Sequence, residues 1–285
     1  MKKNRLFLIT LLIMLCSVAA AVNAEPAASA DDQLTAISKR IENPVNKIST
    51  VPFTYQIYAG VGSDNNQSQN QLYIRPVLPI ILNSDWMLIS RAVIPLEIST
   101  PAYTAQGISS GGYASGIGNI VFSGYLTARE QNSKLLWGLG PVVSTPTATN
   151  LNTGNYNWGI GPAAIGVFRD GPWVVGSVIN NVWSVGNVNN PENKLDWQFF
   201  AHYNLNDGWD ISTSPEIFVN WNSNLANGVS LPLGFGISKT FKIDGQLCNA
   251  GVQQYYYVLH PQNGPEYMAQ FVFSLIFPDY ASSNH

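Results

Sequence analysis

Between Val51 and Phe277 several segments alternate apolar and polar residues with a period of two, and clusters of Gly, Pro, Asn, Asp and Ser separate the segments along the chain. That period places successive side chains on opposite faces of an extended strand. Leu195, Trp197, Phe199, Ala201, Tyr203 and Leu205 share one face; Asp196, Gln198, His202 and Asn204 share the other, with Phe200 the exception. Trp209, Ile211, Ile217, Val219 and Trp221 likewise oppose Asp210, Ser212, Ser214, Glu216 and Asn220. Leu231, Leu233, Phe235, Ile237 and Phe241 oppose Ser230, Gly234, Gly236, Ser238 and Thr240. Lys239 breaks that apolar face near an end, where its stem can carry the charge to water. The segments near 157–169 and 173–185 are apolar or Gly-bearing on both faces and assign no side.

Twelve segments read as strands: 51–62, 70–82, 86–98, 117–129, 134–146, 157–169, 173–185, 194–205, 209–221, 228–241, 247–259 and 266–277. Most exceed the length of about 5–6 residues usual in water-soluble sheets. They suit tilted strands that cross hydrocarbon, which takes about 9–11. Short connections (Asn83 to Asp85, Arg129 to Ser133, Asp170 to Pro172, Asn206 to Gly208, Lys242 to Gln246) alternate with mostly longer ones, the longest Thr100 to Gly116. Trp86, Trp137, Trp173 and Trp209 sit at or just after short turns, and Trp158, Trp183, Trp197 and Trp221 beside long loops. Indole favours the headgroup level, so the eight form a membrane girdle at two rims. The predicted fold is all-β: a transmembrane antiparallel β-barrel of about 12 strands over 51–277, with the short turns periplasmic. Many inward positions are Gly, Ala or Ser, which predicts a tight lumen of mixed polarity.

The first fifty residues differ. Lys2, Lys3 and Arg5 precede an uncharged apolar run, Leu6 to Ala21, and Val22-Asn23-Ala24 offers small residues at the cleavage positions. Residues 1–24 therefore read as a signal peptide. Leu15, before Cys16, is not the small residue of a lipoprotein site. Within 25–50, Leu34, Ile37 and Ile41 have helical spacing and Asn43-Pro44 stops it, so a short N-terminal helix precedes the barrel, as a periplasmic leader or a plug. No second long apolar run exists, which excludes a helical membrane protein. Three of the 14 basic residues and no acidic residue precede Glu25, leaving eleven basic against 17 acidic groups, a net of −6. That balance argues against a nucleic-acid partner. Cys248 alone remains after Cys16 is removed, so no internal disulfide is available. Three scattered histidines and one cysteine make no metal-ligand set, and no cofactor motif is evident.

Several runs resemble the bacterial outer-membrane family labelled for the meta-pathway of phenol degradation, whose members are often called transporters. They are Asn43 to Phe53, Trp137 to Thr149, Gly171 to Ser184, Leu231 to Phe241 and Gln253 to Val258, spread over most of the mature chain. The resemblance implies a single membrane barrel and carries over no catalytic residue. The last strand, Tyr267 to Phe277, alternates aromatics and ends in Phe, similar to the signal read by the barrel-assembly machinery, although residues 278–285 follow it as a tail.

Candidate chemistry lies on the inward faces. Arg75, Arg91, Glu97, Asp196 and Glu216 are expected there, as a solute-selecting constriction or as a salt-bridge network that fills the lumen. His202 is predicted opposite Ser212, with Asn204 and Asp210 one rung away, an arrangement a hydrolase could use. It would face the lumen near the periplasmic rim, and no His-x-Ser run of the phospholipase type occurs. Tyr255 and Tyr257 are expected inward beside Gln253, as an aromatic patch for sliding solutes; a rim girdle is the other reading. Three functions stay open: a channel or transporter for small solutes, apolar or aromatic ones included; a plugged structural or interaction barrel meeting a partner through Thr100 to Gly116; and a lipid-acting hydrolase. All imply the outer membrane of a Gram-negative bacterium, with lipid and lipopolysaccharide as surroundings.

Overall fold

The computed structural model describes residues 48–103, 109–129, 134–186 and 191–278. The leader, the helix expected before the barrel and the tail after Pro278 lie outside the described residues. The chain forms one antiparallel sheet from β1(Ser49–Val61), β2(Gln67–Ile74), β3(Val77–Ile81), β4(Trp86–Tyr103), β5(Ser109–Ile117), β6(Val121–Ala128), β7(Leu135–Ser144), β8(Gly159–Asp170), β9(Trp173–Ser184), β10(Asn193–Asn204), β11(Trp209–Thr213), β12(Glu216–Asn220), β13(Val229–Ile243), β14(Gln246–Leu259) and β15(Tyr267–Phe277). The pairs β2–β3, β5–β6 and β11–β12 each run end to end, so the fifteen pieces make twelve staves. Each stave pairs with the next in sequence, and β1 pairs with β15 from Ser49 opposite Phe277 to Ala59 opposite Tyr267. The sheet thus closes. Closure joins the first and last staves, the condition for a sheet to stand in hydrocarbon; β5, paired with β4 alone, and most of β3 on its β1 side keep an edge without a strand partner among the described residues.

Two of the three breaks hold a proline, which cannot donate to the ladder. Pro76 lies between β2 and β3, and Pro215 between β11 and β12. Register is kept across both: Ile74 faces Phe53 and Val77 faces Thr50; Ser212 faces His202 and Glu216 faces Gln198. At the third break, Gly118 to Ile120, the pairing against β4 slips by one residue, which makes a bulge. The short turns are tight. Asp244 and Gly245 alone join β13 to β14, with φ of 48° and 85°. Both positive values are what a type I′ hairpin requires, and Asp-Gly supplies them with little strain.

The long outer loop expected over Thr100 to Gly116 is corrected. β4 continues to Tyr103 and pairs with β5, Thr100 opposite Ala114 and Tyr103 opposite Ser109. β4 has 18 residues, and the small Ser, Gly and Ala residues of β5 carry no alternation from which a strand could be read. The next outer loop leans on the β4–β5 hairpin: Asn119 donates to the Thr145 and Asn155 carbonyls and accepts from the Asn155 N–H. A four-residue helix, α1(Leu225–Gly228), capped by the Asn224 side chain, sits in a further outer loop that carries no helical spacing of apolar residues.

The outside of the sheet is an apolar belt that includes Leu126, Leu139, Ile160, Leu233 and Phe235, all exposed. All eight tryptophans point outward by strand parity, with Trp197 deepest, at the fifth residue of β10. Among the described residues no helix is long and apolar enough to cross a membrane. Phe235 is 73% exposed in mid-strand, so Phe235→Arg is expected to destabilise the barrel in lipid vesicles by about 2–4 kcal/mol. The same change at Leu225, in the outer loop, should stay within about 0.5 kcal/mol. Denaturant titration of the two variants in vesicles gives both numbers.

The inside has two unlike walls. On β4 and β6 to β10 the inward residues Met87, Ile89, Tyr125, Val142, Ile165, Val167, Val178 and Phe200 form one buried apolar cluster. On the remaining staves the inward residues are mostly polar: Thr54, Gln56, Gln71, Asp210, Ser212, Thr240, Gln270 and Ser274 are all buried, with small apolar clusters at Ile48, Leu247 and Ile276 and at Tyr255, Tyr257 and Met268. The rule that polar faces turn inward therefore holds for only half of this barrel. The two segments that assigned no side, now β8 and β9, lie in the apolar wall, inward through Ala163, Ile165, Val167, Val174, Val178 and Val182.

Candidate functional site

The inward face of β2 and β3 carries Gln71, Tyr73, Arg75 and Val77 in strict alternation, and Pro76 leaves Arg75 at the break between them. The Arg75 guanidinium meets Glu216, at the corresponding break on β11–β12, with Nη1–Oε1 and Nη2–Oε2 both 2.9 Å. These two staves are five apart by the shorter way round the twelve, so the pair spans the lumen. Tyr73 lies beneath the guanidinium, 4.4 Å from ring centre to Cζ. A second contact crosses in parallel: Arg91 Nη2 on β4 donates to Gln198 Oε1 on β10 at 3.2 Å, and these staves are also five apart. Gln198 Nε2 in turn donates to Ser214 Oγ at 2.9 Å.

Tyr255 braces this layer from another side. Its hydroxyl accepts from the Ser214 N–H at 2.7 Å and donates to Gln253 Oε1 at 2.8 Å. It reaches Ser214 across β13 because Gly234 lies between them with no side chain. Tyr257 is buried against Met268 and Tyr58. Asp196 faces the same layer, with Oδ1 buried and without a hydrogen-bond partner among the described residues.

Amide side chains form a second feature. Register aligns Glu97, Gln71, Gln56, Gln270, Gln253, Gly236 and Ser212 on successive staves. Gln71 Nε2 bonds both Glu97 oxygens at 2.7 Å, Gln56 Nε2 bonds Gln270 Oε1 at 2.6 Å, Gln270 Nε2 bonds Gln253 Oε1 at 2.8 Å, and Gln253 Nε2 reaches Ser212 Oγ at 3.1 Å. An amide has both donor and acceptor, so a row of them can satisfy itself stave to stave. Glu97 belongs to this ladder and not to the arginine layer with which it was grouped.

His202 lies opposite Ser212, and its Nδ1 is 3.0 Å from Asp210 Oδ2. Asp210 also accepts from the Ser238 hydroxyl. The group faces the lumen near the short-turn end. Of the predicted residues, the structure joins Arg75, Glu216, Arg91, Asp196 and Tyr255 around one level of the lumen; Glu97, His202 and Tyr257 stand apart. Sequence reasoning missed Gln198, Tyr73 and the glutamine ladder. Inward parity was the available signal, but parity does not say which staves face each other.

Two cavities flank the polar layer. One of about 240 Å³ lies toward the short turns, with Arg75, Arg91, Gln198 and Ser214 as its roof and Ile48, Thr50 and Ser274 near its base. The other, about 660 Å³, opens among the outer loops between Lys194, Phe218, Asn220, Ser230 and Pro261. Among the described residues no group of three or more His, Cys, Asp or Glu side chains could hold a metal ion.

No family model matches the chain, and no curated protein does. The phenol-degradation family is therefore not shown by sequence. Among solved structures the chain is similar to the COG4313 outer membrane channel from Pseudomonas putida F1, at 16% identity and a TM-score of 0.58 over 81% of this chain and 94% of that one. The CymD monoaromatic hydrocarbon channel follows at 10% identity and a TM-score of 0.41, over 86% of this chain and 90% of that one. Outer membrane phospholipase A from Escherichia coli has 10% identity and a TM-score of 0.40, over 80% and 95%. The likeness to the Pseudomonas channel is one of fold: this chain has the architecture of a Gram-negative outer-membrane β-barrel.

Proposed function

We propose that the protein is an outer-membrane channel for small solutes, apolar or aromatic ones included, and that the Arg75–Glu216 and Arg91–Gln198 contacts form its constriction. The observation that carries this reading is the layer itself: paired polar side chains, not a packed core, lie between an inner and an outer cavity. The contacts that cross the lumen are one ion pair and one amide contact, so the layer can open by side-chain rotation, without moving backbone. The half-apolar wall suits solutes with an apolar body, and the resemblance to transporter-like barrels points the same way. In this reading residues 1–24 direct export, the final strand engages the assembly machinery, and the outward tryptophans anchor the barrel at headgroup level among lipid and lipopolysaccharide.

The test is solute flux into proteoliposomes and conductance in planar bilayers. Passage of single-ring and small polar solutes above protein-free controls is expected. The absence of both would favour the plugged interaction barrel, which the solidly packed apolar wall would also suit. We assign no enzymatic role. His202 is tied to Asp210, Ser212 accepts from Gln253, and both face the lumen, not the lipid.

A further inference from the structure

The inner cavity is lined unevenly, and its charges are not all matched. Val77, Val178, Phe200 and Val272 give it an apolar side. Three of its lining groups can carry positive charge: Arg75, Arg91 and His202. Arg75 is held on both nitrogens by Glu216, and His202 by Asp210. Arg91 differs. Its partner is the neutral Gln198 oxygen, at 3.2 Å, and among the described residues no carboxylate lies within 4.0 Å of its guanidinium. Asp196, two residues farther toward the outer mouth than Gln198 on the same strand face, balances Arg91 through space, but it makes no contact with the guanidinium and does not line the cavity, so the fork itself stays open on the cavity side.

A guanidinium presents five donors in a planar fork that matches a carboxylate in two parallel bonds. One long bond to an amide oxygen leaves most of that fork unused. The group is half-buried, so a solute in the cavity can reach it while bulk water screens it poorly. The cavity, about 240 Å³, falls just below the usual size of ligand pockets, about 300–1,000 Å³, and so takes a body of about one ring.

We propose that this inner cavity is a binding subsite for small monocarboxylates with a compact apolar body. The carboxylate takes the Arg91 fork in place of Gln198, and the apolar body lies against Phe200 and Val178. The proposal deepens the channel reading and rests on it for its place in transport, but the binding event can be measured apart from flux.

The experiment is calorimetric titration of the purified full-length barrel in detergent, at neutral pH and low salt, with benzoate, benzyl alcohol and benzylamine. Benzoate is expected to bind at least about tenfold more tightly than benzyl alcohol, and benzylamine least well, since one charge-assisted fork is worth about a factor of ten or more. Arg91→Gln should remove the preference for benzoate; Arg91→Lys, which keeps the charge without the fork, should keep part of it. Equal binding of benzoate and benzyl alcohol by the unsubstituted protein would overturn the assignment, as would tighter binding of benzylamine or an undiminished preference in Arg91→Gln. The comparison among the three ligands needs no variant, so it decides even where a variant does not fold. A protein that binds benzoate with this pattern but passes no solute in proteoliposomes would retain the subsite and lose the channel; one that passes neutral solutes without preferring benzoate would do the reverse.

Discussion

Gly236→Val is expected to abolish closure of the barrel. At Gly234 and Gly236 the backbone of β14 comes close to β13 on the side a Cβ would occupy. A Cβ built on Gly236 would collide with the Val252 carbonyl oxygen and lie 2.6 Å from both Cα and Cγ of Gln253. Part of that obstacle is backbone, which cannot rotate away. The same empty space lets Gln253 lie across β13 to Ser212, so valine would also cut the amide ladder at its end. Overpacking in a well-filled site typically costs about 1–3 kcal/mol and sometimes more. Here it adds to lost hydrogen bonds at the ring of pairing that every other stave depends on. The expected result is a large loss of the folded form, read as the heat-modifiable band on a semi-native gel and as resistance to protease. A variant that refolds with wild-type yield would show that the close approach of β14 to β13 does not require glycine there.

The second large effect concerns the cross-lumen pair. Glu216→Ala leaves the Arg75 guanidinium with its bidentate partner gone and its side chain only 9% exposed. Removing one member of such a buried pair usually costs about 3–5 kcal/mol, because the remaining charge is stranded. The thermal midpoint in detergent should therefore fall clearly. Conductance should rise in the same variant, since one of the two contacts that cross the lumen is missing. The double replacement Arg75→Met with Glu216→Leu separates the two consequences. It removes both charges, so stability should return toward the wild-type value, while the lumen keeps an apolar obstruction and altered solute preference. If the single variant melts as the wild type does, the pair is too well hydrated to hold the layer together, and the constriction must be sought elsewhere.

The half-apolar lumen bears on both results. In a water-filled pore, side chains facing inward are solvated and replaceable. Here Met87, Ile89, Tyr125 and Val167 are packed among themselves with almost no exposure, so that wall behaves as a protein core. In the proposed channel it would confine solutes to the polar side, past the glutamine ladder and the arginine layer.

Much of this was legible in the chain itself. Alternation with a period of two, segment lengths beyond those of soluble strands, Asp-Gly and Gly-Pro turns, and indoles at segment ends are local properties. Local sterics and the transfer of side chains between water and hydrocarbon determine them without reference to distant residues. They were enough for an all-β barrel of twelve staves, for the inward parity of Arg75, Arg91, Asp196, His202 and Glu216, and for the pairing of His202 with Ser212 across a short turn. What only the tertiary structure decided was which inward side chains meet across the barrel. Arg75 and Glu216 are 141 residues apart in the chain, and their contact depends on closure of the sheet, which sets their staves facing each other across the lumen. The extension of β4 beyond the rim and the assignment of β8 and β9 to the apolar wall have the same origin. With apolar or absent side chains on both faces, nothing local distinguishes inside from outside, and only closure of the whole ring selects one.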